Sequence, residues 1–405
     1  MSYKKLGGYI QQVNVRNRDL EVETLLGVSN TKKMIPSIAN TIGTDMSSYK
    51  IIEKRQFAYG TITSRNGDRL SVAISDQYDK ALVSQIYIVF EVIDDNDLLP
   101  EYLMMWFSRP EFDRYARFKS HGSTRESFDW EELCEVELPI PSIEKQREIV
   151  AQYQAVANKI KVNEQICEKL EATAQALYKQ WFVDFEFPNE NGKPYKSSGG
   201  ATVFNEELEK QIPEGWAVKK LEDIIECKDG THDSPKEVRE GNKLITSMHI
   251  NKFDIDLNNA YSISEIDFIQ VNKRSKVDYG DILVSMIGTV GNVNLVTYRS
   301  IDFAIKNLGL IKTSKYLEFR SFLYLFLNSI DFKIYLESEL NGSTQKYITL
   351  SFIRNIRIVY NQSLIDLFND KIFQVFEEII NKVNQNQKLT QLQSLLLSRL
   401  ATLEG

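Results

Sequence analysis

Two stretches of the chain carry the same stripe of seam positions. From Ile149 the steps alternate between four and three residues, through Tyr153, Val156, Ile160, Asn163, Cys167, Leu170, Ala174, Leu177 and Trp181. A second run has the same spacing at Phe368, Ile372, Val375, Ile379, Lys382, Asn386, Leu389, Gln393, Leu396 and Leu400. A four-three repeat keeps one face of an α-helix turned toward a partner, so each run predicts a long helix with a coiled-coil seam. Both exceed the ~11–12 residues of an average helix, and as a matched pair they fit two helices wound round each other better than two separate amphipathic helices on a core. Antiparallel pairing over ~40 residues at 1.5 Å each gives a rod of ~60 Å, a spacer of fixed length. The seam sets Asn163 against Lys382 and Asn386 near Cys167, where buried polar groups lower stability and fix register.

Ahead of each helix lies a mixed segment. Residues 83–93 (VSQIYIVFEVI) are β-branched and aromatic enough for a buried strand, and 100–118 opens on proline with a helical stripe. The later counterparts are a strand at 308–312 and a helix at 318–336. Gly122-Ser123-Thr124 and Gly342-Ser343-Thr344 follow these helices at an offset of 342 − 122 = 220 residues. The same offset aligns Tyr59-Gly60 with Tyr279-Gly280, Leu103 with Leu323, Phe112 with Phe332 and Tyr115 with Tyr335. The expected fold is therefore α/β (α+β): a pseudo-two-fold repeat of two globular units with two long antiparallel coiled-coil helices. Expected boundaries are 1–141 for the first unit, 142–186 for its helix, 187–211 for a Gly-, Pro- and Asn-rich linker, 212–361 for the second unit and 362–405 for the last helix.

The chain's 405 residues, 42% of them hydrophobic, suffice for two or three buried cores. No apolar run reaches the ~18–20 residues of a membrane span and MSYKKLGGYI has no signal-peptide core, so the cytoplasm is expected. Three scattered cysteines and three histidines suggest neither a disulfide framework nor a zinc site. A net charge of −7 excludes a uniformly basic nucleic-acid coat but permits local basic faces.

Catalytic motifs are missing. There is no Asn/Asp-Pro-Pro-aromatic sequence, no glycine-rich turn for S-adenosylmethionine and no GxxxxGK[ST] loop. Glu226-Cys227-Lys228 loosely resembles the metal site of a restriction nuclease, but carboxylate–lysine pairs of this kind arise by chance in any chain this long. What remains is a set of polar and basic loops with the donors that meet phosphates and base edges. In the first unit these offer Lys32, Lys33, Ser64, Arg65, Asn66, Lys119, His121, Ser123, Thr124 and Arg125. In the second they offer Thr231, His232, Lys273, Arg274, Lys276, Lys306, Asn307, Ser343, Thr344, Gln345 and Lys346. Singly such loops are ordinary solvated turns; in two copies they suit a two-part DNA target.

Several long strings then resemble the specificity subunit of Type I restriction-modification enzymes, over essentially the whole chain. In the first unit they are LLGVSNTKKMIPSIANTIGTDMSSYK (25–50), FAYGTITSRNGDRLSVA (57–73) and EFDRYARFKSHGSTRESFDWEELCEVELPIPS (111–142). EKQREIVAQYQAVANKI (144–160) and ALYKQWFVDFEFP (176–188) resemble the family's central helix and its exit. In the second unit IPEGW (212–216), DGTHDSP (229–235), RSKVDYGDILVSMIGTVGN (274–292), AIKNLGL (304–310) and NGSTQKYITL (341–350) do the same. The resemblance implies a non-catalytic reader in which two target recognition domains each contact one half of a bipartite, asymmetric double-stranded DNA target. It implies that the helices set the gap and dock two methyltransferase subunits. S-adenosylmethionine would sit on those subunits, ATP and Mg2+ would belong to restriction subunits, and this chain would bind no cofactor. One departure is that the first unit exits through Leu138-Pro139-Ile140-Pro141 and the second through Ile358-Val359-Tyr360-Asn361, without prolines.

Overall fold

The computed structural model describes residues 3–37, 43–63, 69–121, 126–341 and 347–402. The chain divides into two compact units, Met1–Ile160 with Lys388–Gly405, and Lys161–Gln387. Among the described residues no helix is long and apolar enough to cross a membrane.

The first unit contains strands β1 (Tyr3–Lys5), β2 (Ile10–Val13), β3 (Leu25–Val28), β4 (Met34–Pro36), β5 (Lys50–Glu53), β6 (Phe57–Tyr59), β7 (Val72–Ile74), β8 (Lys80–Val83) and β9 (Ile88–Val92). Helices α1 (Pro100–Phe107), α2 (Pro110–Lys119) and α3 (Trp130–Cys134) follow, then strand β10 (Glu137–Pro139) and the start of the long helix α4 (Ile143–Tyr178). One sheet has the order β2-β9-β6-β7 and a second β4-β3-β8-β5, with β10 closing on β1. Among the described residues of this unit only β3 and β8 run parallel, and the other strand pairs are antiparallel. The apolar run at 83–93 is two strands rather than one, because the Tyr87 amide donates to the Ser84 carbonyl and turns the chain between β8 and β9. The helix expected over 100–118 is likewise two, broken where Pro110 starts α2. Phe57, Phe90, Phe107, Phe112 and Phe128 form the aromatic centre of this core.

The second unit repeats the plan. Its strands are β11 (Thr202–Asn205), β12 (Lys210–Pro213), β13 (Ala217–Lys220), β14 (Cys227–Asp229), β15 (Asn242–Ile245), β16 (Ser262–Ile263), β17 (Ile282–Ser285), β18 (Val293–Leu295), β19 (Phe303–Ile305), β20 (Leu308–Ile311) and β21 (Arg357–Tyr360). Its helices are α5 (Leu221–Ile224), α6 (Glu265–Ser275), α7 (Leu317–Asn328), α8 (Ile330–Asn341), α9 (Leu350–Asn355) and the long α10 (Gln362–Arg399). The order β14-β20-β17-β18 reproduces β2-β9-β6-β7, the parallel pair β15/β19 reproduces β3/β8, and β13-β21 reproduces β1-β10. Leu103 and Leu323 occupy equivalent helices, as do Phe112 and Phe332, all four buried. The Tyr59/Tyr279 alignment is corrected: Tyr59 ends β6, whereas Tyr279 precedes β17, so this part of the repeat is shifted by several residues.

The stretch 187–211, expected as a linker, holds the hairpin strand β11 and the start of its partner β12, and its buried Phe187 stacks on Tyr195 and Trp216. Its glycines and prolines shape turns within a folded segment.

Helices α4 and α10 pack antiparallel, and each unit takes part of both into its core. In the first unit Ile149, Val150 and Leu400 join the buried cluster, with Tyr153 and Leu397 against it. Gln146, fully buried, fixes the start of α4: its Nε2 donates to the carbonyls of Asp97 (2.8 Å) and Pro141 (2.9 Å), and its Oε1 accepts from the Leu99 amide. In the second unit Ala174, Tyr178 and Trp181 of the α4 segment and its exit meet Phe368, Ile372 and Ile379 of α10. Here Glu171, buried on α4, accepts from Lys252 Nζ at 2.8 Å and from the Tyr324 hydroxyl at 3.3 Å.

Along the seam, Val156, Ile160, Leu170, Leu177, Val375, Leu389 and Leu396 are half-buried, while Asn163 is fully buried. Asn163 does not face Lys382 as expected. Its Nδ2 donates to Asn386 Oδ1 at 2.8 Å, and Cys167 Sγ lies 3.8 Å from the Ile379 carbonyl. The expected pairing put equal steps of the repeat side by side, whereas antiparallel helices match positions in reverse order. Because Asn163 Oδ1 has no partner, the pair is a net cost to stability that specifies register. Replacing Asn163 and Asn386 together by leucine should raise the melting temperature, whereas Asn163→Ala alone should lower stability by about 1–3 kcal/mol in denaturant titration.

Candidate nucleic-acid interface

In the first unit the two loops singled out by sequence spring from one place. Thr63 donates through its amide to the Glu126 carbonyl (2.9 Å) and through its hydroxyl to Ser120 Oγ (2.9 Å), while Ile62 and His121 both bridge to Ser127. Ser64, Arg65 and Asn66, and Ser123, Thr124 and Arg125, lie outside the described residues, but the chain ends that carry them are adjacent. Lys119 Nζ and the exposed His121 Nε2 each lie 3.8 Å from Glu132.

Lys33 is exposed, whereas the Lys32 side chain is 8% exposed. The chain takes a left-handed turn at Lys32 (φ 59°), which turns its side chain inward. There Nζ sits 2.7 Å from Asp113, bonds the Phe107 carbonyl and lies 5.6 Å from the centre of the Phe112 ring. Burial lowers the Lys32 pKa against the opposing pull of Asp113. A Lys-Lys pair in a polar loop gave no sign that one member belonged to the core.

In the second unit the assembly is tighter. Thr231 and Lys306 form a parallel bridge, the Thr231 amide donates to the Ile305 carbonyl, and the Asn307 amide donates to the Thr231 carbonyl. This close approach requires Gly230, where a Cβ would meet the Ile305 carbonyl oxygen at 2.5 Å. It brings the His232 ring between two partners: Nδ1 is 2.9 Å from Asn307 Oδ1 and Nε2 is 3.0 Å from Asp229 Oδ2. Asp229 is buried and also holds Arg274, at the end of α6. Lys306 Nζ reaches Ser234 Oγ at 2.5 Å. Thr231, His232, Arg274, Lys306 and Asn307 are thus one cluster. Lys273 is exposed beside Gln270 (3.0 Å), and Lys276 instead ion-pairs Asp278 at 3.4 Å. Ser343, Thr344, Gln345 and Lys346 lie outside the described residues.

Sequence reasoning missed the segment Met286–Asn292 between β17 and β18. It is the topological equivalent of the loop between β6 and β7, and Ile287 bridges to Tyr347 as Ile62 does to Ser127. The misaligned Tyr59/Tyr279 register hid this correspondence.

Glu226 is an ion-pair centre, 2.6 Å from Lys315 and 2.9 Å from Lys228. Hydrogen bonds from Lys315 and Lys228 pull its carboxyl down to about 2. The neighbouring Cys227 thiol is pushed up to about 12 by burial, so it is not a nucleophile at neutral pH. Among the described residues no group of three or more His, Cys, Asp or Glu side chains is placed to hold a metal ion.

The family model for the Type I restriction modification DNA specificity domain matches residues 29–172 and again 213–394. The chain belongs to this family. It is 30% identical over 324 residues to the Type I restriction enzyme MjaIX specificity subunit of Methanocaldococcus jannaschii, covering 76% of this chain and 70% of the relative. It is 26% identical over 433 aligned positions to the HindI specificity subunit of Haemophilus influenzae, covering 92% of this chain and 91% of the relative. A solved Type I restriction-modification S subunit from M. genitalium shares the fold at a TM-score of 0.51 and 13% identity, covering 100% of this chain and 96% of that one. The first match runs from just after β3 into α4, and the second takes in β13 to β21 and most of α10.

The burial of Lys32 has a direct test. Lys32→Ala should destabilise the first unit by about 3 kcal/mol in denaturant unfolding, by leaving Asp113 buried without its cation, whereas Lys33→Ala should leave stability unchanged.

Proposed function

We propose that this chain is the non-catalytic subunit that gives a Type I restriction-modification complex its DNA specificity. Each repeated unit reads one half of a bipartite, asymmetric target in double-stranded DNA, and helices α4 and α10 set the gap between halves and dock two methyltransferase subunits. S-adenosylmethionine belongs to the methyltransferase subunits, and ATP and Mg2+ to restriction subunits that join the complex, in the cytoplasm.

One observation carries this reading: the same sheet plan occurs twice, and in both copies a candidate loop follows the equivalent helix, α2 or α8, and returns beside the connection that leaves β6 or β17, through the bridges Ile62–Ser127 and Ile287–Tyr347. Two structurally equivalent sites with different side chains are what two unlike half-sites require. In the first copy the reading assigns DNA contact to Lys33, Lys119, His121 and the loops holding Arg65 and Arg125. In the second it assigns contact to the cluster of His232 and Asn307 and to the loop holding Lys346. Contacts to phosphate supply affinity and register, and contacts to base edges supply sequence. A scaffold that binds only proteins would bear two such faces to no purpose.

Mapping methylated adenines in a host genome with and without the gene would give the target and its gap. Deleting one heptad from both long helices should then shorten the gap without altering either half; an unchanged gap would refute the spacer role. Arg125→Ala or Lys346→Ala should weaken target binding by the assembled methyltransferase by ~1–3 kcal/mol where the contact is to a base, and binding should fall steeply with added salt. Unchanged affinity in both variants would remove these loops from the interface.

A further inference from the structure

Beside the His232 cluster the second unit has a groove of about 430 Å3 lined by both polar and apolar side chains. Its lining joins Asp229, His232 and Asn307, with Thr349 and Ser351, to Ile287 and Tyr347, both more than 40% exposed, and the buried Met286. The groups around His232 have a fixed polarity. The Asp229 carboxylate can only accept, and Asn307 turns its Oδ1 to the ring, so His232 faces an acceptor at each nitrogen. The ring is held between the buried Asp229 carboxylate and the Asn307 side-chain carbonyl, with Arg274 on the other carboxylate oxygen. With its oxygen engaged, Asn307 has its Nδ2 amine left to offer, a donor. The backbone fixes where that donor stands: Asn307 is left-handed (φ 54°), its amide donates to the Thr231 carbonyl, and Gly230 permits the close approach.

Among the base edges in the major groove, thymine combines an acceptor, O4, with a methyl group at C5. A donor beside an apolar wall matches that pair. Cytosine offers a donor to a donor, and guanine and adenine offer acceptors without a methyl. Resting on the DNA-reading role proposed above, we infer that this groove reads a thymine in one half of the target: Asn307 Nδ2 donates to O4, and Ile287 and Tyr347 receive the methyl. Asp229 and His232 are positioning residues that act through Asn307.

The test uses the assembled methyltransferase and duplexes carrying its mapped target. Each thymine on either strand of each half is replaced singly by uracil, which removes the methyl alone. One position should lose about fourfold in affinity, the worth of one buried methyl. That loss should vanish in Ile287→Ala, which removes the wall. Asp229→Asn should broaden base preference at the same position while the remaining positions stay selective, an outcome that general unfolding would not give. If no uracil substitution costs more than twofold while scrambling either half abolishes binding, the thymine site is wrong and the DNA-reading role stands. If scrambling both halves leaves binding unchanged, the role itself fails.

Discussion

The antiparallel seam of α4 and α10 is the constraint on which both units depend, because neither core is complete without residues from both helices. Leu400 and Ile149 are core residues of the first unit, and Phe368, Ala174 and Tyr178 of the second. A sliding seam would move apolar side chains out of each core, so register is part of stability. Asn163 and Asn386 fix it at the cost of an unsatisfied buried oxygen. Apolar side chains at these positions would pack in more than one register; a hydrogen bond between two amides has one. The polar locks at Gln146 and Glu171 serve the same end, tying α4 to backbone carbonyls in one unit and to Lys252 and Tyr324 in the other.

Much of this was legible in the letters. Heptad spacing is a long-range signal carried by twenty positions, so it survives sparse identity and predicted both long helices. Leu103 and Leu323, and the two Gly-Ser-Thr copies, marked equivalent helices and loops because the chain between them keeps its length. What failed was short-range. The β6 and β17 strands are three and four residues long, too brief to fix an alignment, and an offset read from Tyr-Gly pairs placed Tyr279 before the strand instead of within it. That slip concealed Met286–Asn292, whose residues look apolar in sequence and acquire meaning only beside His232 and Asn307. Lys32 failed differently: its burial follows from one positive φ and from Asp113 eighty-one positions later, and neither is a property of its neighbours.

The electrostatics bear on how an acidic chain of net charge −7 could carry the DNA-reading faces proposed for it. Candidate cations in both units face carboxylates within the protein: Lys119 lies 3.8 Å from Glu132, and Arg274 pairs with Asp229. A cation already facing a carboxylate gains less from a phosphate than a free one, so non-specific attraction, which depends on phosphate contacts alone, is reduced. The carboxylates also hold their partners in place, which lowers the ordering cost of meeting a base edge. A specificity subunit that must ignore most of the DNA it meets benefits from both effects. On the proposed reading phosphate contacts supply affinity, and the pre-set side chains make the base-edge contacts selective.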